Sequence, residues 1–236
     1  AQVYEVQLEN VDAAVRQYQG VLEKSPDNQG AIRALGRLFQ RAERYAELAE
    51  VLRREAAIGQ TPDEILDSKF RLGQVYQTHL GDIEQAVAAY EEVLSAAPED
   101  ERSRQALEGL FAEGKSRAAI ARILEPLYQA SAEWERLVQV HEAQLAELSD
   151  PDERLELYFR ISDDHESKLS DNAQAFAVLA RALVEQPLNE RLREEMERLA
   201  ASFDGGWEDL ANTYADVMSV EGTPTNVQAE IGRHLA

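Results

Sequence analysis

The chain has 236 residues, 44% of them hydrophobic, and 45 acidic against 24 basic side chains, for a formal charge of −21. That length and apolar content can build the core of one large or two ordinary domains, while the charge repels phosphate backbones and anionic surfaces, which speaks against nucleic acid and membrane as partners. The absence of cysteine excludes a disulfide framework, a thiolate zinc site and a cysteine nucleophile.

Few glycines and prolines (12 and 7) among many Ala, Leu, Glu, Gln and Arg favour helix throughout, so the expected fold is all-α. No stretch reaches the roughly 18–20 apolar residues of a spanning helix, and none resembles a signal peptide; the chain therefore reads as cytoplasmic.

In chain order, the first element is the end of a helix. Val3-Tyr4 and Leu8 lie 72 positions before Val75-Tyr76 and Leu80, which places residue 1 inside a helix whose start is missing. Next come Ala14, Tyr18, Val21-Leu22 and Pro26, repeated 72 positions later as Ala86, Tyr90, Val93-Leu94 and Pro98. The same offset carries Ala34-Leu35 and Leu38-Phe39 onto Ala106-Leu107 and Leu110-Phe111. An offset of 89 then takes Tyr45, Leu48, Val51, Pro62-Asp63-Glu64 and Phe70-Arg71 onto Trp134, Leu137, Val140, Pro151-Asp152-Glu153 and Phe159-Arg160. Trp134-Glu135 recurs once more as Trp207-Glu208. One unit thus spans about two helical hairpins.

The two offsets differ by the length of one helix and its connection, so an inserted helix is expected near Ser116 to Tyr128, kinked or interrupted at Pro126. Within a unit, Val87, Tyr90, Val93 and Leu94 follow the helical period, and strand alternation is absent. Boundaries fall at Ser25-Pro26, Thr61-Pro62, Ala97-Pro98, Asp150-Pro151 and Gln186-Pro187, where proline suits a first helical turn. Leu80-Gly81-Asp82 marks a tighter turn, and Gly205-Gly206 is read as ending a helix. Asn226 to Ala236 begins a helix whose partner does not follow, so Val3, Val6, Leu8, Ile231 and Leu235 would lie on uncovered ends. The expected organisation is repeats over 1–111, an inserted helix over 112–130, and repeats over 131–236, both ends cut within a repeat and able to associate end to end.

Leu72-Gly73-Gln74-Val75-Tyr76, followed by Gly81-Asp82, Ala86, Tyr90 and Pro98, resembles the tetratricopeptide repeat; Leu35-Gly36 with Phe39 is a second, partial match. Leu72 to Ala86 is one residue longer than the family's spacing, and other units replace Leu-Gly by Leu107-Glu108 or Ile161-Ser162. The chain is most similar to long, degenerate bacterial arrays of that family. The resemblance implies an α-α superhelix, a right-handed solenoid of antiparallel helix pairs, here with about 13 helices. It also implies that the first helix of each pair lines a groove. Those positions are Arg33, Arg37 and Arg41; Phe70, Gln74 and Gln77; Arg102 and Gln105; Phe159 and Asp163; and Arg191, Glu194 and Arg198.

Arg33, Arg37 and Arg41 stand at i, i+4 and i+8, a basic stripe in an acidic protein. It either grips an acidic peptide or C-terminal carboxylate, or it is a solvated face paired with Glu43, Glu47 or neighbouring acids. The family's Lys and Asn carboxylate clamp is not matched.

Catalytic chemistry finds no footing. His79, His141, His165 and His234 are scattered, without a His-Glu-x-x-His pair, and His141 and His165 align with Leu52 and Tyr76, which makes them packing positions rather than metal ligands. The run Asp163-Asp164-His165-Glu166 reads as a solvated helix end. Trp134 and Trp207, both aligned with Tyr45, share an expected packing role. No phosphate loop, nucleophile elbow, cofactor site or metal site is expected. The reading is a non-catalytic scaffold for a protein or peptide. Its alternatives are the substrate-recruiting arm of an enzyme whose catalytic domain lies outside this sequence, and an RNA-processing module, against which the charge argues.

Overall fold

The computed structural model describes residues 11–219 together with Ala229 and Gly232. The expectations placed on Val3, Tyr4, Val6, Leu8, Ile231, His234, Leu235 and the closing helix lie outside the described residues. Among those described, twelve α-helices follow one another: α1 (Val11–Lys24), α2 (Gln29–Arg41), α3 (Tyr45–Ile58), α4 (Pro62–Val75), α5 (Ile83–Ala96), α6 (Glu101–Ala112), α7 (Arg117–Ser131), α8 (Trp134–Glu147), α9 (Pro151–Asp163), α10 (Asn172–Glu185), α11 (Glu190–Ala200) and α12 (Gly206–Ser219). Two π-helical turns, Tyr76–Leu80 and Asp164–Lys168, prolong α4 and α9. No strand occurs among the described residues.

Side-chain caps set where these helices begin. Asn28, Asp82, Asp100, Asp171 and Asn189 each accept a hydrogen bond from the backbone N–H three residues on. Thr61 and Asp150 do the same immediately before Pro62 and Pro151, which open α4 and α9. The remaining prolines of this pattern differ from expectation. Pro26, Pro98 and Pro187 stand in the preceding turns, two residues ahead of the caps Asn28, Asp100 and Asn189, because the cap needs an extended backbone before the helix. Gly205 and Gly206 also differ, since they start a helix. Gly205 takes φ +85°, and a Cβ on Gly206 would lie 2.3 Å from the Ala200 carbonyl oxygen, so only glycine fits where α12 leaves α11.

The 89-residue offset reappears in three dimensions. α8, α9, α10 and α11 begin 89 residues after α3, α4, α5 and α6. Left-handed turns recur with it, at Glu43 and Ala132 and again at Gly81 and Ser170. α6 and α7 stand between α5 and α8, where α2 alone stands between α1 and α3. α7 runs through Pro126 as a single helix.

The π-helical turns explain the long Leu72 to Ala86 spacing. Each widens the last turn of the helix by one residue and closes on a left-handed residue: the Asp82 N–H bonds the Tyr76 carbonyl, and the Asp171 N–H bonds the His165 carbonyl.

The chain divides into two compact units, 1–120 and 121–236. In the first, successive helices α1 to α6 each pack on the next, burying Ile32, Leu52, Tyr90, Leu107 and Leu110. In the second, α8 to α12 pack likewise around Ile161, Leu179, Leu183, Leu192 and Met196. Short connections make neighbouring helices antiparallel, which is a helical-repeat architecture.

Candidate interaction surface

In the first unit α2, α3 and α4 enclose a pocket of about 330 Å³ lined by Arg33, Arg37, Glu55, Glu64, Asp67 and Arg71, with Gln29 and Ser68. Arg33 Nη2 donates to Glu64 Oε1 at 2.7 Å, and Arg71 Nη1 lies 3.7 Å from Glu55 Oε2. Hydrogen bonding from Arg33 holds the Glu64 carboxyl below its usual range. Burial pushes the Glu55 carboxyl the other way, against the nearby arginines. The Glu55 side chain is only 11% exposed and rests on Gly36, where an added Cβ would stand 3.5 Å from its carboxylate.

Thus the sequence-selected Arg33 and Arg37 meet in one pocket, whereas Arg41, exposed one turn further along α2, is not among its lining. The partner of Arg33 comes from the next first helix, α4, rather than from Glu43 or Glu47; Glu47 is held by Arg44. Glu55, Glu64, Asp67 and Arg71 went unselected because the groove rule picks one face of one helix at a time.

Arg102 of α6 bonds Asp67 of α4 at 3.2 Å, and its guanidinium lies 4.6 Å from the centre of the Phe70 ring. At the 89-residue offset, Arg191 of α11 bonds Glu156 of α9 at 2.6 Å and lies 4.0 Å from the Phe159 ring. An acid, an arginine and a phenylalanine thus bridge successive first helices in both units. Gln77 accepts from the Tyr90 hydroxyl at 2.7 Å, Gln74 borders a shallow recess with Tyr45 and His79, and Gln105 bonds Glu101. Asp163 accepts from Ser167, and Arg198 holds Glu166 with two nitrogens. Arg33, Phe70, Arg102, Phe159, Arg191 and Arg198 are therefore engaged in ties between successive repeats.

The second unit holds a polar cluster of its own. His141, fully buried, places Nδ1 2.9 Å from Asp164 Oδ2 and Nε2 3.3 Å from Glu125 Oε1. Gln144 and Arg160 also donate to Glu125, at 2.6 and 3.3 Å, and these bonds with the nearby charges outweigh burial to hold its carboxyl low. The residues 89 positions earlier are Leu52 and Val75, both buried and apolar. The packing role expected of His141 holds, but Asp164, expected at a solvated helix end, is 6% exposed because the π-helical turn rolls it inward onto His141. That exchange of an apolar pair for a polar one at aligned positions was the signal available in the sequence. Among the described residues no three His, Cys, Asp or Glu side chains are grouped to hold a metal ion, and no helix is long and apolar enough to cross a membrane.

A second polar tie joins α9 to α10. Arg154 holds Glu185 by Nε and Nη2 at 2.8 and 2.6 Å and donates to the Leu145 and Leu148 carbonyls at the end of α8. Arg154 pulls the Glu185 carboxyl below its usual 4.5, chiefly by hydrogen bonding, and Arg198 does so for Glu166. Their folded pKa values lie below the unfolded ones, so their contribution is present above about pH 4.5 and is lost as pH falls through the depressed values. Arg154→Met should therefore cost about 1–2 kcal/mol at pH 7, and in acid unfolding followed by circular dichroism the gap from wild type should narrow as pH falls below about 4.5, leaving the part owed to the Leu145 and Leu148 carbonyls.

Trp207 departs from its expected packing role. It is 59% exposed, while Trp134 is partly covered by Lys168. Nothing among the described residues lies over that side of α12 as the π-helical turn lies over α8.

Stacked antiparallel helix pairs tied first helix to first helix define the chain as a helical-repeat protein. The tetratricopeptide repeat profile matches residues 31–65, 66–100 and 120–156, so the chain carries tetratricopeptide repeats over those stretches. The third match pairs α7 with α8. Among solved structures the chain is similar to the TPR2AB-domain:pHSP90-complex of yeast Sti1, at 16% identity over 98% of this chain and 92% of that one, with a TM-score of 0.35. It is also similar to BtubC (BKLC) from P. vanneervenii, at 19% identity over 82% and 92%, with a TM-score of 0.28. No curated protein matches it.

Proposed function

We propose that the chain is a non-catalytic scaffold that binds partner proteins or peptides on its repeat surface, with the pocket between α2, α3 and α4 as the anchoring site. The observation that carries this reading is the pocket's charge. Three arginines, Arg33, Arg37 and Arg71, face Glu64, Asp67 and a Glu55 whose burial disfavours its anion, so the balance leans toward a bound carboxylate. A partner carboxylate would displace Glu64 from Arg33, beside a Glu55 whose burial already raises the pKa of its carboxyl. In this acidic chain, that pocket is where an acidic segment meets attraction rather than repulsion.

Peptides selected from a random display library against the whole chain are expected to be enriched in Asp, Glu or a free C-terminus. Their affinity should fall at least tenfold in Arg33→Glu/Arg37→Glu and weaken with salt. Equal binding to that variant would remove the pocket as the anchor.

A further inference from the structure

Three helices of one repeat type begin on an aromatic ring: Tyr45 on α3, Trp134 on α8 and, at the second position, Trp207 on α12. Two of the rings have occupants, each 34 positions further along and each in a π-helical turn. The His79 imidazole stacks on Tyr45 with ring centres 3.7 Å apart and planes within 5°. The Lys168 ammonium lies 5.4 Å from the centre of the Trp134 ring. The shared chemistry is a basic or imidazole side chain on a helix that lies against the aromatic-bearing one.

Trp207 has the same place on its helix and stands open. Its helix buries Leu210, Tyr214 and Val217 in the core of the second unit. Another face carries Trp207, Ala211, Ala215 and Met218, an apolar line at helical spacing, of which the first three are exposed. Glu208 stands at its edge, Asp209 and Asp216 lie on the far side of the helix, and α12 has no basic residue. An exposed indole beside a carboxylate, on a helix with three acids and no base, favours a cation over an apolar side chain alone.

We propose that this face of α12 docks a helix of a partner protein whose lysine, arginine or histidine seats on the Trp207 ring, as Lys168 seats on Trp134. The site is independent of the pocket between α2, α3 and α4. Small alanines beneath the seat let the helix approach closely, while Glu208 at its edge and the net negative charge of α12 attract the cation.

The test uses the whole chain carrying Trp134→Phe, which leaves Trp207 as its one tryptophan. The probe is a helix-stapled, dye-labelled peptide with the sequence of residues 151–169, the segment that fills the equivalent seat. Saturable quenching of Trp207 is expected, with affinity at least tenfold weaker for a Lys168→Glu peptide and for a Trp207→Ala chain that keeps its helical circular dichroism. No saturable binding, or equal binding by either variant, would overturn the proposal. So would a buried-indole emission from the free chain, which would mean the seat is already filled. Concentration-dependent self-association abolished by Trp207→Ala would assign the seat to a second copy of the chain and overturn it as well.

Discussion

Asp164→Ala is expected to destabilise the second unit by about 3 kcal/mol, the cost of leaving a buried, hydrogen-bonded partner with nothing to bind. His141 is fully buried, and its Nδ1 bonds Asp164 Oδ2 at 2.9 Å. The decisive companion is the double variant His141→Leu/Asp164→Val, which installs the pair found 89 residues earlier as Leu52 and Val75. It is expected within about 1 kcal/mol of wild type, since a well-packed apolar pair commonly replaces a buried polar one without loss. Glu125 would keep Gln144 and Arg160 as donors. Urea unfolding followed by circular dichroism reads both variants. A neutral Asp164→Ala would show that the cluster contributes nothing to stability.

Gly73→Ser should cost about 2–3 kcal/mol, because an added Cβ would stand 2.5 Å from the ring of the fully buried Tyr90 and the core cannot absorb that overlap. The second unit shows how the clash is avoided. There Ser162 takes the place of Gly73 and Leu179 that of Tyr90, and the Ser162 hydroxyl donates to the Ala175 carbonyl at 3.1 Å. Gly73→Ser/Tyr90→Leu should therefore be less destabilised than the two single changes added together, by about 1–2 kcal/mol in a double-mutant cycle. Recovery will be partial, since Tyr90 also donates to Gln77 and packs 5.7 Å from Phe70. Strict additivity would mean that the two positions do not compensate.

Both experiments exchange parts between repeats, and the same comparison shows what was legible beforehand. Helix starts followed from residue identity because caps and prolines act locally: Asn28, Thr61 and Asp150 need only their own next turn. The offsets located the helices for the same reason, as each repeat buries the same few positions against its neighbour. Ion pairs were less accessible. Asp67 with Arg102, and Glu156 with Arg191, join residues 35 apart, and in a chain with 45 acids many such spacings arise without contact. The arginine stripe was visible on α2, but the acids that face it belong to α3 and α4. Trp207 shared its pattern with Trp134, yet burial depends on what lies across from a helix, which the helix's own residues do not encode.

The π-helical turns bear on how such arrays can change. A residue added to an ordinary helix rotates everything beyond it by about 100°, which would swing α5 and α10 off their buried faces. The turns at Tyr76–Leu80 and Asp164–Lys168 take up the extra residue before Gly81 and Ser170, so the helices that follow keep their orientation. Length and stacking are thereby uncoupled. A family profile measures spacing along the chain, whereas neighbouring repeats respond only to the face presented, so divergence in one need not disturb the other.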